Sequence, residues 1–358
     1  MAETPIRVFT EGDELYEAML DAIHGARRTI KFESYIFADD EVGRRFIGAL
    51  VERARTGVQV LVYIDAVGSL FSGKTVEQVL REGGVKVRWF RRWSWRDPAR
   101  YNRRNHRKLL VVDGHIGFFG GFNVHRENSR GVFGEQRWRD TQLQVGGKLA
   151  RTLQRLFDAF WRGRMLPHPA LELPGGHLFV TNHSRGGRRY LHRLYRRKFA
   201  EAKRSIHLTT PYFVPDRRTR RALRQAAQRG VEVKLLVPHR IDEPIERVVQ
   251  WAAHAMYASL LEAGVQIHEY LPRMLHAKTL VIDGEWCSVG TANLDYRSFF
   301  LNYELTLTST DAALVQRLEA DFQQDLTQSV RIQPRRWANR RWWMRTLESL
   351  GWSIRHWL

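Results

Sequence analysis

Two stretches of the chain, residues 26–65 and 202–240, are variants of one pattern. Each holds a β-type run (Thr29–Phe37, Ser205–Val214), then a segment of helical periodicity, then a glycine (Gly57, Gly230) and a second β-type run (Val58–Ile64, Val231–Val237). The glycines fall where a helix C-cap is expected. The second runs are almost wholly apolar or β-branched, as in strands buried on both faces. Internal duplication limits the fold more than any other feature, because whatever one half adopts the other must adopt as well. Strands alternating with helices predict α/β units, each with a parallel or mixed sheet covered by helices.

Both halves continue in the same order, through a helix and a strand near Val85 or Val265 to a strand–turn–strand carrying a shared motif. The first copy is His106-Arg-Lys108-Leu-Leu-Val-Val-Asp113-Gly114, followed by Gly120-Gly121-Phe-Asn123. The second is His276-Ala-Lys278-Thr-Leu-Val-Ile-Asp283-Gly284, followed by Gly290-Thr291-Ala-Asn293. The register is constant: 276 − 106, 290 − 120 and 293 − 123 all equal 170. Val85 to His106 spans 21 positions and Val265 to His276 spans 11, so about ten extra residues precede the first motif. Expected boundaries are a first repeat over 1–165, a Pro- and Gly-rich linker over 166–176, a second repeat over 177–332 and a terminal helix over 333–358.

In extended chain, residues i and i+2 share a face, which pairs His106 with Lys108 and His276 with Lys278. Asp-Gly makes a tight hairpin, and the returning strands are expected to bring Asn123 and Asn293 beside those pairs. Two lysines and two carboxamides suit the non-bridging oxygens of a phosphate ester. One imidazole can attack phosphorus while the other protonates the leaving alcohol. In-line displacement puts nucleophile and leaving group on opposite sides of phosphorus, so both motifs are expected in one active site, at the interface of the repeats. No metal and no other cofactor is expected, since no His-x3-His or His-Cys spacing accompanies these histidines and the lysines would repel a cation.

The formal net charge of +20 favours polyanionic partners. A hydrophobic content of 43% with 27% charged residues excludes a disordered chain. The one cysteine, Cys287, excludes an intramolecular disulfide framework and reads as a buried structural thiol. Acidic residues interrupt the N-terminus, and no window approaches a spanning apolar run, so membrane contact is expected to be peripheral and to face the cytosol.

On these paired motifs the chain resembles the phospholipase D superfamily. The resemblance implies two pseudo-symmetric α-β-α repeats, with His106 as the nucleophile of a phosphohistidine intermediate and His276 as general acid and then base. It also implies a carboxylate after each motif: Glu304 in the second half, and Asp140, beyond a six-residue insertion, in the first. Asp113 and Asp283 complete the catalytic signature, although their place at a turn suggests structural roles. Flanking segments such as Arg104-Asn-His106, Trp138-Arg-Asp140-Thr and Thr210-Pro-Tyr-Phe-Val-Pro-Asp216 resemble bacterial cardiolipin synthases of the short class. That implies transfer of a phosphatidyl group to the hydroxyl of phosphatidylglycerol or a similar alcohol, at the cytoplasmic face of the bacterial inner membrane. The implied partners are anionic phospholipids and the membrane surface, with no obligatory nucleic acid. Hydrolysis of phospholipids, nuclease action and a non-catalytic binding role are the alternatives.

Two segments suggest membrane contact. Arg88–Arg96 interleaves Trp93 and Trp95 with arginines ahead of the first motif. Trp343, Leu347, Leu350, Ile354 and Trp357 recur at helical spacing among arginines, as in an interfacial amphipathic helix.

Overall fold

The computed structural model describes residues 6–96, 101–164, 166, 168–241 and 244–340. The chain divides into two compact units, Met1–His168 with Asn302–Leu305, and Pro169–Leu301 with Thr306–Leu358. Residues Trp343, Leu347, Leu350 and Trp357 of the expected terminal helix lie outside the described residues.

The first unit runs β1 (Arg7–Phe9), α1 (Gly12–His24), β2 (Thr29–Ser34), α2 (Glu41–Arg55), β3 (Gln59–Asp65), α3 (Gly73–Glu82) and β4 (Lys86–Phe90). It continues with β5 (Leu109–Val112), β6 (Ile116–Gly120), a single turn α4 (Arg130–Phe133), β7 (Gln142–Gly146) and α5 (Gly147–Trp161). The sheet order is β1-β7-β6-β5-β2-β3-β4. Strands β2, β3 and β4 are parallel, and β5 joins β2 antiparallel. Asp40 caps α2 by accepting the Gly43 N–H at 2.8 Å. Gly57, at φ +89°, provides the left-handed step that turns the chain from α2 into β3.

The second unit begins with β8 (Ala170–Leu173), β9 (His177–Thr181), α6 (Arg185–Glu201), β10 (Ser205–Thr209), β11 (Phe213–Val214), α7 (Arg217–Gln228), β12 (Glu232–Pro238) and α8 (Pro244–Leu261). It then forms β13 (Gln266–Tyr270), β14 (Thr279–Ile282), β15 (Trp286–Gly290), β16 (Leu294–Asp295) and α9 (Tyr296–Phe300). The remaining elements are β17 (Leu305–Ser309), α10 (Ala312–Thr327), β18 (Ser329–Arg331) and α11 (Pro334–Ala338). Its large sheet has the order β18-β13-β12-β10-β14-β15-β17-β9-β8. Removing the edge strands β8 and β18 leaves β13-β12-β10-β14-β15-β17-β9, which matches β4-β3-β2-β5-β6-β7-β1 of the first unit strand for strand. Gly230, at φ +91°, repeats the step seen at Gly57.

Two boundaries differ from expectation. Residues 170–173 of the expected linker form β8, paired with β9, because the Gly175-Gly176 turn permits a hairpin. Asn302–Leu305, placed by sequence in the second repeat, clusters with the first unit. Arg88, Trp89 and Phe90, the start of the Trp- and Arg-rich segment, end strand β4, the strand expected near Val85.

Each unit has its own apolar core on the sheet faces beneath its helices. Cys287 is fully buried in β15, and burial pushes its thiol up to about 12, which suits a structural residue. No helix among the described residues is long and apolar enough to cross a membrane.

Candidate active site

His106, Arg107 and Lys108 lie in the extended lead into β5, at the end of the sheet where the parallel strands β2 and β3 finish. Their backbone is held by neighbours distant in sequence. The His106 N–H donates to the Tyr303 carbonyl at 2.9 Å, and the Tyr303 N–H donates to the Arg104 carbonyl at 2.8 Å. The Asn105 N–H donates to Asp65 Oδ2 at 2.8 Å, and Asn105 Nδ2 donates to Glu33 Oε1 at 2.6 Å. Arg104 pairs with Asp65 at 3.0 Å, and Arg107 lies 3.1 Å from Glu33 Oε2. Burial pushes the Glu33 and Asp65 carboxyls up, against the lowering pull of Arg107 on one and Arg104 on the other. A buried carboxylate without such partners would be strongly destabilising, so these pairs are mutually required. Together they fix the residues on either side of His106.

The imidazole itself is buried, with Nδ1 3.0 Å from Glu304 Oε2. With the Nδ1 proton donated to Glu304, Nε2 carries the lone pair. The Tyr35 ring meets the imidazole edge-on at 5.1 Å, and Lys108 Nζ lies 5.2 Å from the centre of the same ring. Lys108 Nζ also donates to the His106 carbonyl at 2.8 Å. Sequence order assigns Glu304 to the second motif, whereas in the fold it serves the first. The reason is that Asn105 and Tyr303 form a parallel bridge that draws residues 302–305 alongside the lead into β5.

In the second unit the motif lysine itself contacts the histidine ring. Lys278 Nζ lies 2.7 Å from His276 Nδ1 and 3.0 Å from Nε2, and also donates to the His276 carbonyl. Tyr212 meets the His276 ring edge-on at 6.3 Å, in the position that Tyr35 takes toward His106.

Asp113 and Asp283, counted with the catalytic set, bind backbone instead. Asp113 accepts the N–H groups of Arg27, Arg28 and Thr29 at 2.8, 2.8 and 2.7 Å. Asp283 accepts those of Lys203, Arg204 and Ser205 at 2.9, 2.7 and 2.9 Å. Both sit at the hairpin with positive φ, +53° and +56°. Four residues, and so five steps of extended chain, separate each from its lysine, roughly 17 Å at ~3.4 Å per step. Partial burial pushes each carboxyl up, but the backbone amides outweigh it and hold both below the usual range.

The motif asparagines differ. The Asn123 side-chain oxygen accepts the Ile36 N–H at 3.1 Å, and its carbonyl accepts the buried Tyr16 hydroxyl at 2.7 Å. Asn293 Oδ1 is buried with no hydrogen-bond partner among the described residues. Asp140 is buried and accepts the Thr141 N–H at 2.7 Å. A Cβ on Gly121 would fall 1.9 Å from Asp140 Oδ1, which explains the glycine after Gly120. Trp93 and Trp95 are exposed, Trp93 meeting Tyr101 edge-on at 5.0 Å.

The sequence reading missed Glu33, Asp65, Asn105 and Tyr35. A carboxylate within or ending an otherwise apolar strand was the available signal. It also missed Leu70 and Phe71, which are exposed in the loop after β3. No three His, Cys, Asp or Glu side chains among the described residues group as a metal ion would need.

Architecture and site define the class as a duplicated mixed-sheet α/β protein with one buried His-Lys pair in each repeat. The family described as "Cardiolipin synthase, PLD-like domain" matches residues 19–161 and 195–326. Cardiolipin synthase of Geobacillus sp. is 36% identical, over 97% of this chain and 71% of that protein. Cardiolipin synthase A of Pseudomonas entomophila is 36% identical, over 93% and 70%. Among solved structures, phosphatidylserine synthase of Haemophilus influenzae superposes with a TM-score of 0.73 at 13% identity, covering 99% of this chain and 95% of that one. Polyphosphate kinase of Porphyromonas gingivalis gives 0.66 at 15% identity, over 92% and 48%. The chain therefore belongs to the cardiolipin synthase family of phospholipase D-like proteins.

Proposed function

We propose that this chain transfers a phosphatidyl group from one anionic phospholipid to the hydroxyl of phosphatidylglycerol or a similar alcohol, through a phosphohistidine on His106. The class, a phospholipase D-like phosphatidyltransferase, follows from the family. The observation that carries the assignment of His106 is the Glu304 bond, which leaves Nε2 as the attacking atom. In the first step Nε2 bonds to phosphorus, and the P–O bond to glycerol breaks. A protonated His276 supplies the proton that the departing glycerol oxygen takes up. In the second step neutral His276 accepts the proton of the incoming hydroxyl. Its oxygen bonds to phosphorus and the P–N bond breaks, giving a diphosphatidyl lipid and regenerating His106. Lys108 and Lys278 are the donors for the non-bridging oxygens, whose charge they stabilise in the transition state. Asn293 is a further donor toward phosphate. Asp113 and Asp283 hold the hairpins and take no proton.

We assign the protein's working place to the cytoplasmic surface of a bacterial inner membrane, where its anionic substrates lie. Leu70 and Phe71 follow β3, and Trp93 and Trp95 follow β4; all four are exposed beyond the carboxyl ends of these neighbouring parallel strands. Large apolar side chains so grouped support contact with a lipid interface.

The deciding experiment incubates the protein with liposomes of labelled phosphatidylglycerol and resolves products by mass spectrometry. A diphosphatidyl lipid with equimolar glycerol is expected, absent for His106→Ala, which also traps no phospho-adduct. Phosphatidic acid as the main product would make the protein a hydrolase. Cleavage of DNA with no lipid product would make it a nuclease.

A further inference from the structure

Five arginines of the second unit surround one cavity of about 690 Å³. Arg189, Arg193 and Arg196 recur at helical spacing on one face of α6, and Arg217 and Arg218 open α7. Among the described residues none of the five guanidiniums is ion-paired, and Arg196 Nε is buried with no hydrogen-bond partner. Some arginines elsewhere pair with carboxylates, as Arg104 does with Asp65 and Arg317 with Asp321.

The one carboxylate in the lining, Asp216, is committed locally. It accepts the Arg218 N–H at 2.8 Å as the cap of α7, the Thr219 hydroxyl at 2.6 Å and His192 Nε2 at 2.8 Å. Burial pushes its carboxyl up, but the His192 and Thr219 bonds outweigh burial and hold it far below the usual range. Arg189, Arg193, Arg217 and Arg218 are exposed and Arg196 is half-buried, so solvent weakens their mutual repulsion but leaves an excess of positive charge that an anion would neutralise. Asp216 already caps the amino end of α7, so the arginine side chains are what the cavity offers an anion. Val214, Pro215, Tyr296 and Phe300 supply an apolar wall. None of His276, Lys278 or Asn293 lines the cavity.

We propose that this cavity is a second binding site for an anionic phospholipid, separate from the motif residues. The phosphodiester sits among the arginines, while the glycerol and the first acyl methylenes cover Tyr296 and Phe300. A free phosphate would use the arginines but leave the apolar wall uncovered. The choice of a phospholipid rests on the phosphatidyltransferase reading; the binding of an anion does not.

Hydrogen exchange on the full chain tests this, with soluble dihexanoylphosphatidylglycerol as probe. Peptides spanning 212–220 and 185–197 should gain protection. Dihexanoylphosphatidylcholine should give none, and inorganic phosphate should need at least about tenfold more. Replacing two cations, in Arg193→Gln/Arg218→Gln, should raise the midpoint about tenfold or more, while protection of peptides around His106 and His276 persists. The folded Arg193→Lys/Arg218→Lys variant should recover part of the affinity by keeping the charge. Absence of protection at 212–220 overturns the proposal, as does equal protection by phosphate or a midpoint unmoved in the glutamine variant. Failure of the enzyme reading shows separately, as wild-type protein that makes no diphosphatidyl lipid.

Discussion

Replacing Asp113 separates a structural aspartate from a catalytic one. Its carboxylate accepts three backbone N–H groups and occupies a left-handed residue at the hairpin. Hydrogen bonds to a charged group contribute about 1.5–3 kcal/mol each when buried. Asp113 is only partly buried, so water and salt discount that figure, and about 1 kcal/mol per bond is a fair magnitude. Asp113→Ala, which loses all three and strains a positive φ, should then cost about 3 kcal/mol. Asp113→Asn keeps an acceptor oxygen and tolerates the backbone, and should cost about 1 kcal/mol. Because the folded carboxyl lies below its ordinary value, the wild-type advantage is complete above the unfolded value of about 3.9. It disappears as pH falls through the lower folded value, so the aspartate and asparagine proteins should converge in strong acid. Urea unfolding followed by tryptophan fluorescence gives the stabilities, and the liposome assay gives kcat. Under conditions where each variant stays folded, kcat should remain within a few-fold of wild type. A loss of about a hundredfold or more in kcat with unchanged unfolding would refute the reasoning and return Asp113 to the chemistry.

Glu304→Gln should lower kcat about 10²–10⁴-fold with little change in KM, because the amide no longer fixes the Nδ1–H tautomer of His106; a purely structural role for Glu304 would instead shift the unfolding midpoint and leave kcat near wild type. Gly121→Ala drives a methyl into Asp140 and should destabilise by about 1–3 kcal/mol in thermal unfolding, and a variant as stable as wild type would show that Asp140 has room to move. Phe71→Ser/Trp93→Ser/Trp95→Ser removes exposed rings from the loops after β3 and β4 and should weaken sedimentation with anionic liposomes about tenfold or more, chiefly at high salt where charge attraction is screened; equal binding at high salt would refute contact by those loops.

Features with local periodicity were legible in the amino-acid order alone. The duplicated strands, the steps at Gly57 and Gly230 and the Asp-Gly hairpins all follow from spacing within a few residues. The candidate chemistry was legible for the same reason, since His106-x-Lys108 and His276-x-Lys278 are contiguous. The sequence also placed Asp113 and Asp283 at turns, and the structure adds the three amides that each one holds. Partners distant in the chain were not legible. Glu304 lies 198 residues from His106, and Glu33 lies 72 from Asn105. Nothing local marks such pairs, because burial creates the need for a partner and only the folded sheet decides which partner is in reach.

The same division describes the protein as a whole. By itself the sequence determined a duplicated α/β chain, the two His-Lys segments and an excess of positive charge. Tertiary structure alone decided that Glu304 serves the first histidine and that Glu33 and Asp65 clamp the residues beside it. It alone gathered five arginines around one cavity. Repeating patterns are set by backbone geometry over one or two turns. Electrostatic partners are set by which strand and helix ends the sheet order brings together.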